Sequence, residues 1–320
     1  MSEFYSLLKN NYQDIEVINV ISTLWSGCGE IIRCRLDGET RVIKLISMPD
    51  FIEHSRIEQS QFALARKQQS YLVEYNWYKQ YSSSLPDQAA AIPCFNLIQK
   101  QNQFALIFDD FTAFGYQQAQ DHTQHIHAIL KWLAHFHAFH LSTPSEGLWP
   151  RGSYWHLATR PDEYARMPDS PLKAAAVHID CALYKCKYQT LIHGDAKRAN
   201  FAINSQTNHV LGYDFQYVGK GVGVIDVMYF LGSCLNESAL KLNAHTYLNR
   251  YFAELNTALK QYQGTINADD LISSWRELWC YAWADFYRFL AGWSPQHVKI
   301  NGYMQNQFNE YLNKNKEYDE

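Results

Sequence analysis

The feature that most constrains this 320-residue chain is a set of polar side chains that follows a short apolar run. The segment 191–195 reads Leu-Ile-His-Gly-Asp, with Lys197 two residues after Asp195 and Asn200 five residues after it. Asp214 lies fourteen residues after Asn200 and begins an Asp-Phe-Gln triplet. Phosphoryl transfer needs a carboxylate near the attacking hydroxyl, oxygen ligands for Mg²⁺ and a cation near the moving group. Asp and Asn are also common in simple turns, so the pattern needs support from distant parts of the chain.

The spacing H-x-D-x-K-x-x-N followed by D-F-x resembles the catalytic loop and metal motif of kinases. Its H-G-D variant resembles the family of aminoglycoside and choline kinases, and especially the ecdysteroid kinase-like branch. The resemblance implies an α+β, protein-kinase-like bilobal fold that uses ATP and Mg²⁺. It implies a small antiparallel-sheet lobe over residues 1–110 that binds nucleotide. A larger, mostly helical lobe over residues 111–320 would hold the catalytic groups and the acceptor.

The resemblance also gives each polar residue of this pattern a role. Asp195 would act as general base or would orient the attacking hydroxyl. Lys197 would neutralise charge on the γ-phosphoryl group, and Asn200 and Asp214 would hold Mg²⁺ through oxygen atoms. We therefore expect Asp195 and Lys197 to be catalytic residues and Asn200 and Asp214 to be metal ligands.

Three Val- and Ile-rich runs near the N-terminus predict strands over residues 15–25, 30–36 and 40–47, after a short helix over 3–11. Gly27 and Gly29 lie in the first connection. A glycine-containing hairpin covers nucleotide phosphates in kinases. The two glycines alone favour an ordinary hairpin turn, but their position two strands before Lys44 favours the phosphate-covering role, which we expect here.

Lys44 lies inside the third of these apolar runs, where an ammonium group is costly without an anionic partner. In the resembling family such a lysine binds phosphates and pairs with a helix glutamate. Residues 51–81 contain neither Pro nor Gly and predict one or two helices that supply this partner. Similarity to an E-x-x-F-Y pattern favours Glu74, with Glu58 and Glu53 as alternatives. An edge-strand lysine that faces water is the competing interpretation.

Two further strands are predicted over residues 92–99 and 104–108. The second ends at Phe108 and Asp109, which resemble the hinge of the family. There, backbone groups of Phe108 and Asp109 would bind the adenine base.

A predicted helix over residues 121–141 carries six histidines, which makes metal binding an alternative. The histidines are spread over several faces and form no H-E-x-x-H pattern. We therefore expect core or surface histidines, with His137 matching a structural position of the family. Helices are also predicted over 169–185, 238–262, 268–293 and 302–314. In the third of these, Trp279, Trp283 and Asp285 form either core or part of an acceptor pocket.

Two features bound the substrate. Asp226 lies only twelve positions after Asp214, which leaves no room for the activation segment of a protein kinase, so a small-molecule alcohol is expected. The glycine-rich run 219–223 within this gap predicts a flexible turn. Asp226 should cap the next helix and, by resemblance, support the catalytic loop.

Composition excludes several classes. The net charge of −4 argues against nucleic-acid binding, and no apolar stretch is long enough for a membrane span. The seven cysteines are scattered, and the N-terminus has no secretory signal, so we expect reduced thiols and a cytoplasmic location. Two alternatives to a small-molecule kinase remain: a nucleotide-binding pseudokinase and a metal-dependent hydrolase that uses the histidines.

Overall fold

The computed structural model describes residues 7–24, 27–47 and 61–316. Its N-terminal part is a five-stranded antiparallel sheet with the order β1-β2-β3-β5-β4. The strands are β1 Ile15–Thr23, β2 Gly29–Leu36, β3 Glu39–Ser47, β4 Cys94–Lys100 and β5 Gln103–Asp109. Asp37 and Gly38 join β2 to β3 with φ angles of 45° and 88°, the left-handed pair that a tight hairpin requires. One helix, α1 Gln61–Gln80, belongs to the same lobe.

The C-terminal part is mostly helical. It contains α2 Thr123–Phe139, α3 Pro161–Arg166, α4 Pro171–Lys185, α5 Val224–Cys234, α6 Glu237–Tyr262, α7 Ala268–Glu277, α8 Trp279–Trp293 and α9 Gly302–Lys316. Short strands accompany the helices: β6 Tyr116–Gln118, β7 Thr190–Ile192, β8 Phe201–Asn204, β9 Val210–Gly212 and β10 Gly219–Gly221. The predicted fold class, an antiparallel-sheet lobe followed by a helical region, is confirmed. The boundary at residues 110/111 stays a prediction, as does the helix over 3–11, of which only the turn at 7–9 is described.

Two predictions of secondary structure are wrong. Residues 219–221 form β10 rather than a flexible turn, and they pair with β7 from Gly219↔Ile192 to Gly221↔Thr190. A Cβ on Gly219 would lie 2.8 Å from the Gly152 nitrogen, and one on Gly221 would lie 2.6 Å from Ile192 Cδ1. Glycine is needed at both positions because neighbouring atoms leave no space for a side chain. The helix expected over 268–293 is two helices, interrupted at Leu278, whose ψ is 0°.

An aromatic cluster joins the two lobes beneath the cleft. Trp77 of α1 stacks on Phe215 with ring centroids 4.6 Å apart, and Trp132 stacks on Phe136 of α2 at 4.9 Å. All four rings are buried. Because Phe215 directly follows Asp214, packing of the phenyl ring fixes the position of the neighbouring carboxylate.

None of the helices in the described ranges is both long and apolar enough to cross a membrane.

Candidate active site

A cavity of about 1070 Å³ lies between the sheet and the helical region. Seven of the ten side chains that the sequence singled out line it: Lys44, Glu74, Phe108, Asp195, Lys197, Asn200 and Asp214. Residues that are distant in sequence, on β3, on α1 and in the loops after β7 and β9, thus meet at one site.

Gly27, Gly29 and Asp109 are not among the lining residues. Gly29 has a φ of 148°, and a Cβ there would overlap the Leu45 carbonyl of β3, so glycine is required for the close approach of these two strands. Gly27 is exposed, with a φ of 68° and open space around it. Asp109 contacts Arg41 at 3.4 Å.

Lys44 forms the centre of a buried ionic triad. Its Nζ donates to both carboxylate oxygens of Glu74, at 2.9 and 2.7 Å, and to Asp214 Oδ1 at 2.9 Å. Lys44 lies on the central strand of the sheet and is 5% exposed, which rules out an edge-strand lysine that faces water. Glu58 and Glu53, the alternative partners, lie outside the described residues.

The triad places one ammonium group between two carboxylates, and their pKa values move apart as a result. Burial raises the pKa of Glu74 to about 7, because it outweighs the attraction of Lys44 and because the charge of Asp214 adds to it. Burial acts in the same direction on Asp214, but Lys44 and then Lys197 outweigh it and hold the pKa of that carboxyl below its usual range. Asp214 is therefore the carboxylate that stays ionised at neutral pH.

The turn that carries Asp195 is fixed by Asp226, at the start of α5. Oδ2 of Asp226 accepts from the His193 N–H at 2.6 Å, and Oδ1 accepts from the Gly194 N–H at 2.9 Å. Gly194 has a φ of 78°, and a Cβ there would overlap the Tyr217 carbonyl oxygen and lie 2.6 Å from the Ser153 nitrogen. The middle residue of the His-Gly-Asp triplet must therefore be glycine. The His193 ring is held on both sides, since its Nε2 donates to the Tyr213 carbonyl and its Nδ1 accepts from the Asp195 N–H.

The two oxygens of the Asp195 carboxylate differ in their surroundings. Oδ2 accepts from Lys197 Nζ at 2.9 Å and from Asn200 Nδ2 at 3.0 Å. Oδ1 is buried and has no hydrogen-bond partner within 3.5 Å in the described part of the chain, while the Tyr229 hydroxyl lies near this carboxylate. A buried carboxylate oxygen without a partner is costly, and at this position a bound hydroxyl group would satisfy it.

Asn200 and Asp214 fit the oxygen-only ligand preference of Mg²⁺. Both hydrogen bonds of the Asn200 side chain use Nδ2, so its carbonyl oxygen is not engaged in them. Asp214 accepts from Lys44 and from Gln216 Nε2 through Oδ1 alone. Its φ of 66° is left-handed, a strained conformation that is typical of functional positions.

The histidines of α2 do not form a metal centre. Within residues 7–24, 27–47 and 61–316, no three or more His, Cys, Asp or Glu side chains are placed to hold an ion. His137 instead bonds Tyr251 at 2.9 Å and Asp226 at 3.1 Å. Burial lowers the pKa of His140 to about 3, so it is a neutral core residue.

Trp279, Trp283 and Asp285 are buried and do not line the cavity. Asp285 pairs with buried Arg288 at 2.7 Å. From the same helix α8, Phe289 and Trp293 line the cavity instead. Trp279, Trp283 and Asp285 therefore belong to the core, and only the C-terminal end of α8 reaches the site.

Sequence reasoning missed several lining residues, among them Lys67. Lys67 lies seven residues, or two helical turns, before Glu74 on α1, and its Nζ donates to Gln216 Oε1 at 3.1 Å. Gln216 in turn donates to Asp214 Oδ1 at 2.6 Å. The spacing of Lys67 from Glu74 was a usable signal, since residues i and i+7 share a helix face. The tyrosines Tyr154 and Tyr229, whose hydroxyls are 3.0 Å apart, gave no such signal.

With this geometry established, comparison with known proteins becomes informative. Residues 177–264 match the model of the ecdysteroid kinase-like family. The matched segment includes residues 193–200, Asp214 and Asp226, and the predicted resemblance to this family is confirmed there. No curated protein sequence matches the chain significantly.

Several solved structures are similar to the chain. The GDP complex of an aminoglycoside 2'-phosphotransferase-IIIa superposes with a TM-score of 0.51 at 13% identity, covering 97% of each chain. The choline kinase LicA from Streptococcus pneumoniae gives 0.47 at 11% identity, covering 93% of each chain. A choline kinase from Cryptosporidium parvum gives 0.49 at 11% identity, covering 96% of this chain and 90% of its own. The first of these supports the protein-kinase-like fold.

Proposed function

We propose that this protein is a phosphotransferase that moves the γ-phosphoryl group of ATP, with Mg²⁺, to a hydroxyl group of a small molecule. The observation that carries the proposal is the convergence of Lys44, Asp195, Asn200 and Asp214 on one cavity. The family match over residues 177–264 supports a kinase-like chemistry, and the fold shared with a GDP-bound phosphotransferase supports nucleotide binding in this cleft.

The residues divide into three roles. Lys44 would bind the nucleotide phosphates, and Glu74 would position its ammonium group. Asn200 and Asp214 would hold Mg²⁺, which when bound offsets phosphate charge and orients the terminal phosphate. In this proposal Phe108 and Asp109 place their backbone groups at the base, and Gly27 and Gly29 belong to the loop that covers the phosphates.

Asp195 would position the acceptor. A hydroxyl bound at Oδ1 would be aligned for attack, because Lys197 and Asn200 already fix the opposite oxygen. In the transfer, the hydroxyl oxygen forms a bond to the γ-phosphorus, and the bond from phosphorus to the bridging oxygen of ADP breaks. The hydroxyl proton passes to Asp195, and Lys197 lies close enough to stabilise the transferring charge.

The test is Mg²⁺-dependent turnover of ATP by the purified protein, measured by ³¹P NMR against a library of alcohols. Asp195→Asn should lower kcat about 10²- to 10⁴-fold and leave nucleotide affinity unchanged, because it removes the proton acceptor but retains the shape of the side chain. Asp214→Asn should instead abolish the dependence of nucleotide binding on Mg²⁺. Binding of nucleotide without transfer to any alcohol would favour the pseudokinase, the second candidate.

A further inference from the structure

The cavity extends beyond Asp195 into a region that we call the acceptor end. It is lined by the aromatic residues Tyr154, Tyr217, Tyr229, Phe289 and Trp293 and by the charged residues Arg66, Arg160, Asp162, Glu163 and Arg166. Aromatic rings beside a catalytic carboxylate are the usual surroundings of a cationic ligand such as a quaternary ammonium group. The charges around these particular rings argue for the opposite.

The protein's own cations already occupy the ring faces. The Arg160 guanidinium lies 5.1 Å from the centroid of Phe289 and 5.6 Å from that of Tyr154. Lys299 Nζ lies 5.2 Å from the centroid of Tyr229. Three of the five aromatic residues at the acceptor end thus carry a cation–π contact from within the chain. A positively charged ligand at these rings would meet two like charges rather than free π-faces.

Arg66, on α1, is a cation without a carboxylate in contact within the described residues. One of its nitrogens, Nη1, donates to the Thr159 carbonyl at 2.7 Å. The other guanidinium nitrogens of Arg66 are not among the buried atoms that lack a hydrogen-bond partner. Because the side chain lines the cavity, the N–H groups of these nitrogens are available to a ligand there. Burial, and then the nearby Arg160, lower the pKa of Arg66, which indicates that two guanidinium groups lie close together.

The two carboxylates at this end compensate Arg160 but form no ion pair with Arg66. Glu163 is bound to Arg160, with Nη1 and Oε1 3.2 Å apart. Asp162 lies near Arg66 and raises its pKa, yet no ion pair within 4.0 Å joins the two. Lys299 also forms no ion pair among the described residues. Burial lowers the pKa of Lys299, and the charge of Asp195 only partly opposes this effect.

We propose that the acceptor is an alcohol that also carries an anionic group, of which a carboxylate is the simplest, and that Arg66 binds this group. A carboxylate matches the planar fork of a guanidinium and would relieve the repulsion between Arg66 and Arg160. The rings of Phe289 and Trp293 would then contact the apolar part of the acceptor that connects the anionic group to the hydroxyl. This inference rests on the proposed function and restricts its substrate class.

The test compares acceptors that differ only in charge. Matched probes are para-(hydroxymethyl)benzoate, para-(hydroxymethyl)benzylamine and para-methylbenzyl alcohol, together with an aliphatic set of the same design. For the wild-type protein we expect kcat/KM for the acids to exceed that for the amines at least tenfold. Arg66→Gln should remove this preference, with little change for the neutral alcohols or in KM for ATP. Arg66→Lys, which keeps the charge, should retain most of it.

Lys79→Gln is the matched control, because Lys79 is an exposed cation on the same helix and does not line the cavity. It should leave the preference for acids unchanged. The inference is refuted if amines or neutral alcohols are phosphorylated and acids are not, or if Arg66→Gln weakens all three classes equally. Absence of nucleotide turnover with every alcohol, in a protein that still folds, would refute the proposed function and this inference with it.

Discussion

Replacement of Gly194 by alanine separates the role of this residue in catalysis from its role in stability. The backbone at Gly194 has a φ of 78°, which costs an L-residue about 1–2 kcal/mol. The new Cβ would also overlap the Tyr217 carbonyl oxygen and lie 2.6 Å from the Ser153 nitrogen. Both neighbours are backbone atoms, so the turn itself must move, at a further cost of about 1–3 kcal/mol.

Gly38→Ala is the matched control for this prediction. Gly38 has a φ of 88°, and nothing lies within 4 Å of a Cβ placed there. Gly38→Ala should therefore show the cost of the left-handed backbone alone, about 1–2 kcal/mol, with unchanged kcat. Gly194→Ala should lose about 2–5 kcal/mol of unfolding free energy, the sum of the two terms.

The catalytic effect of Gly194→Ala should be larger than its effect on stability suggests. The turn must shift next to Asp195, and a displacement of about 1 Å at a reacting group costs about 100-fold in rate. The assays are urea unfolding at a temperature where all variants are folded and ATP turnover with the best acceptor of the alcohol screen. Equal stability losses in the two variants, or a kcat for Gly194→Ala within threefold of wild type, would refute the steric account.

Three other changes test separate parts of the site. Lys67→Met should raise KM for ATP about tenfold or more with little change in kcat, because it removes a cation from the part of the cavity next to Asp214, where the phosphates would bind; an unchanged KM in a nucleotide titration would contradict this. Glu74→Gln should become progressively more stable relative to wild type as pH rises. The folded pKa of about 7 exceeds the ordinary 4.5, so the contribution of Glu74 to stability is fully present below pH 4.5 and is lost as pH rises through 7, by about 3 kcal/mol in total. The measurement is the difference between urea unfolding free energies of the two proteins from pH 4.5 to 8, and a constant difference would exclude it. Asp226→Asn should lower kcat and unfolding free energy together, by about 2–4 kcal/mol in the latter, because two backbone N–H groups lose their charged acceptor; a thermal unfolding midpoint equal to wild type would contradict this.

The sequence predicted most of the fold, for a clear physical reason. Val- and Ile-rich runs separated by Gly and Asp define the strands, and the spacing from Asp195 to Asn200 is short enough for one loop to impose it. The fixed order of motifs then placed Lys44 and Asp214 at the same cleft. Choosing Glu74 as the partner of Lys44 needed the resemblance, since periodicity alone left Glu53 and Glu58 open.

What could not be predicted depends on contacts between distant segments. Gly219 and Gly221 lie in a strand where Trp149, Gly152 and Ile192 are too close for any side chain. Those neighbours are distant in sequence, so no local sequence pattern predicts them. The aromatic residues of α8 gave no indication of which face of the helix points to the cavity, because rings occupy nearly every side of that helix. The acceptor end likewise includes residues from α1, α3 and α8. Which of its charged side chains pair with each other depends on the folded structure and cannot be read from the sequence.

The ion pair between Lys44 and Asp214 has a consequence for how ligands bind. It connects the sheet lobe to the helical lobe, so phosphate oxygens that bind the ammonium group would compete with Asp214 for it. A nucleotide that arrives alone leaves that carboxylate without a counter-charge, whereas one that arrives with a divalent cation gives it a new partner. We therefore expect nucleotide and metal to strengthen each other's binding by the same factor, a reciprocal coupling that isothermal titration calorimetry in either order of addition would measure.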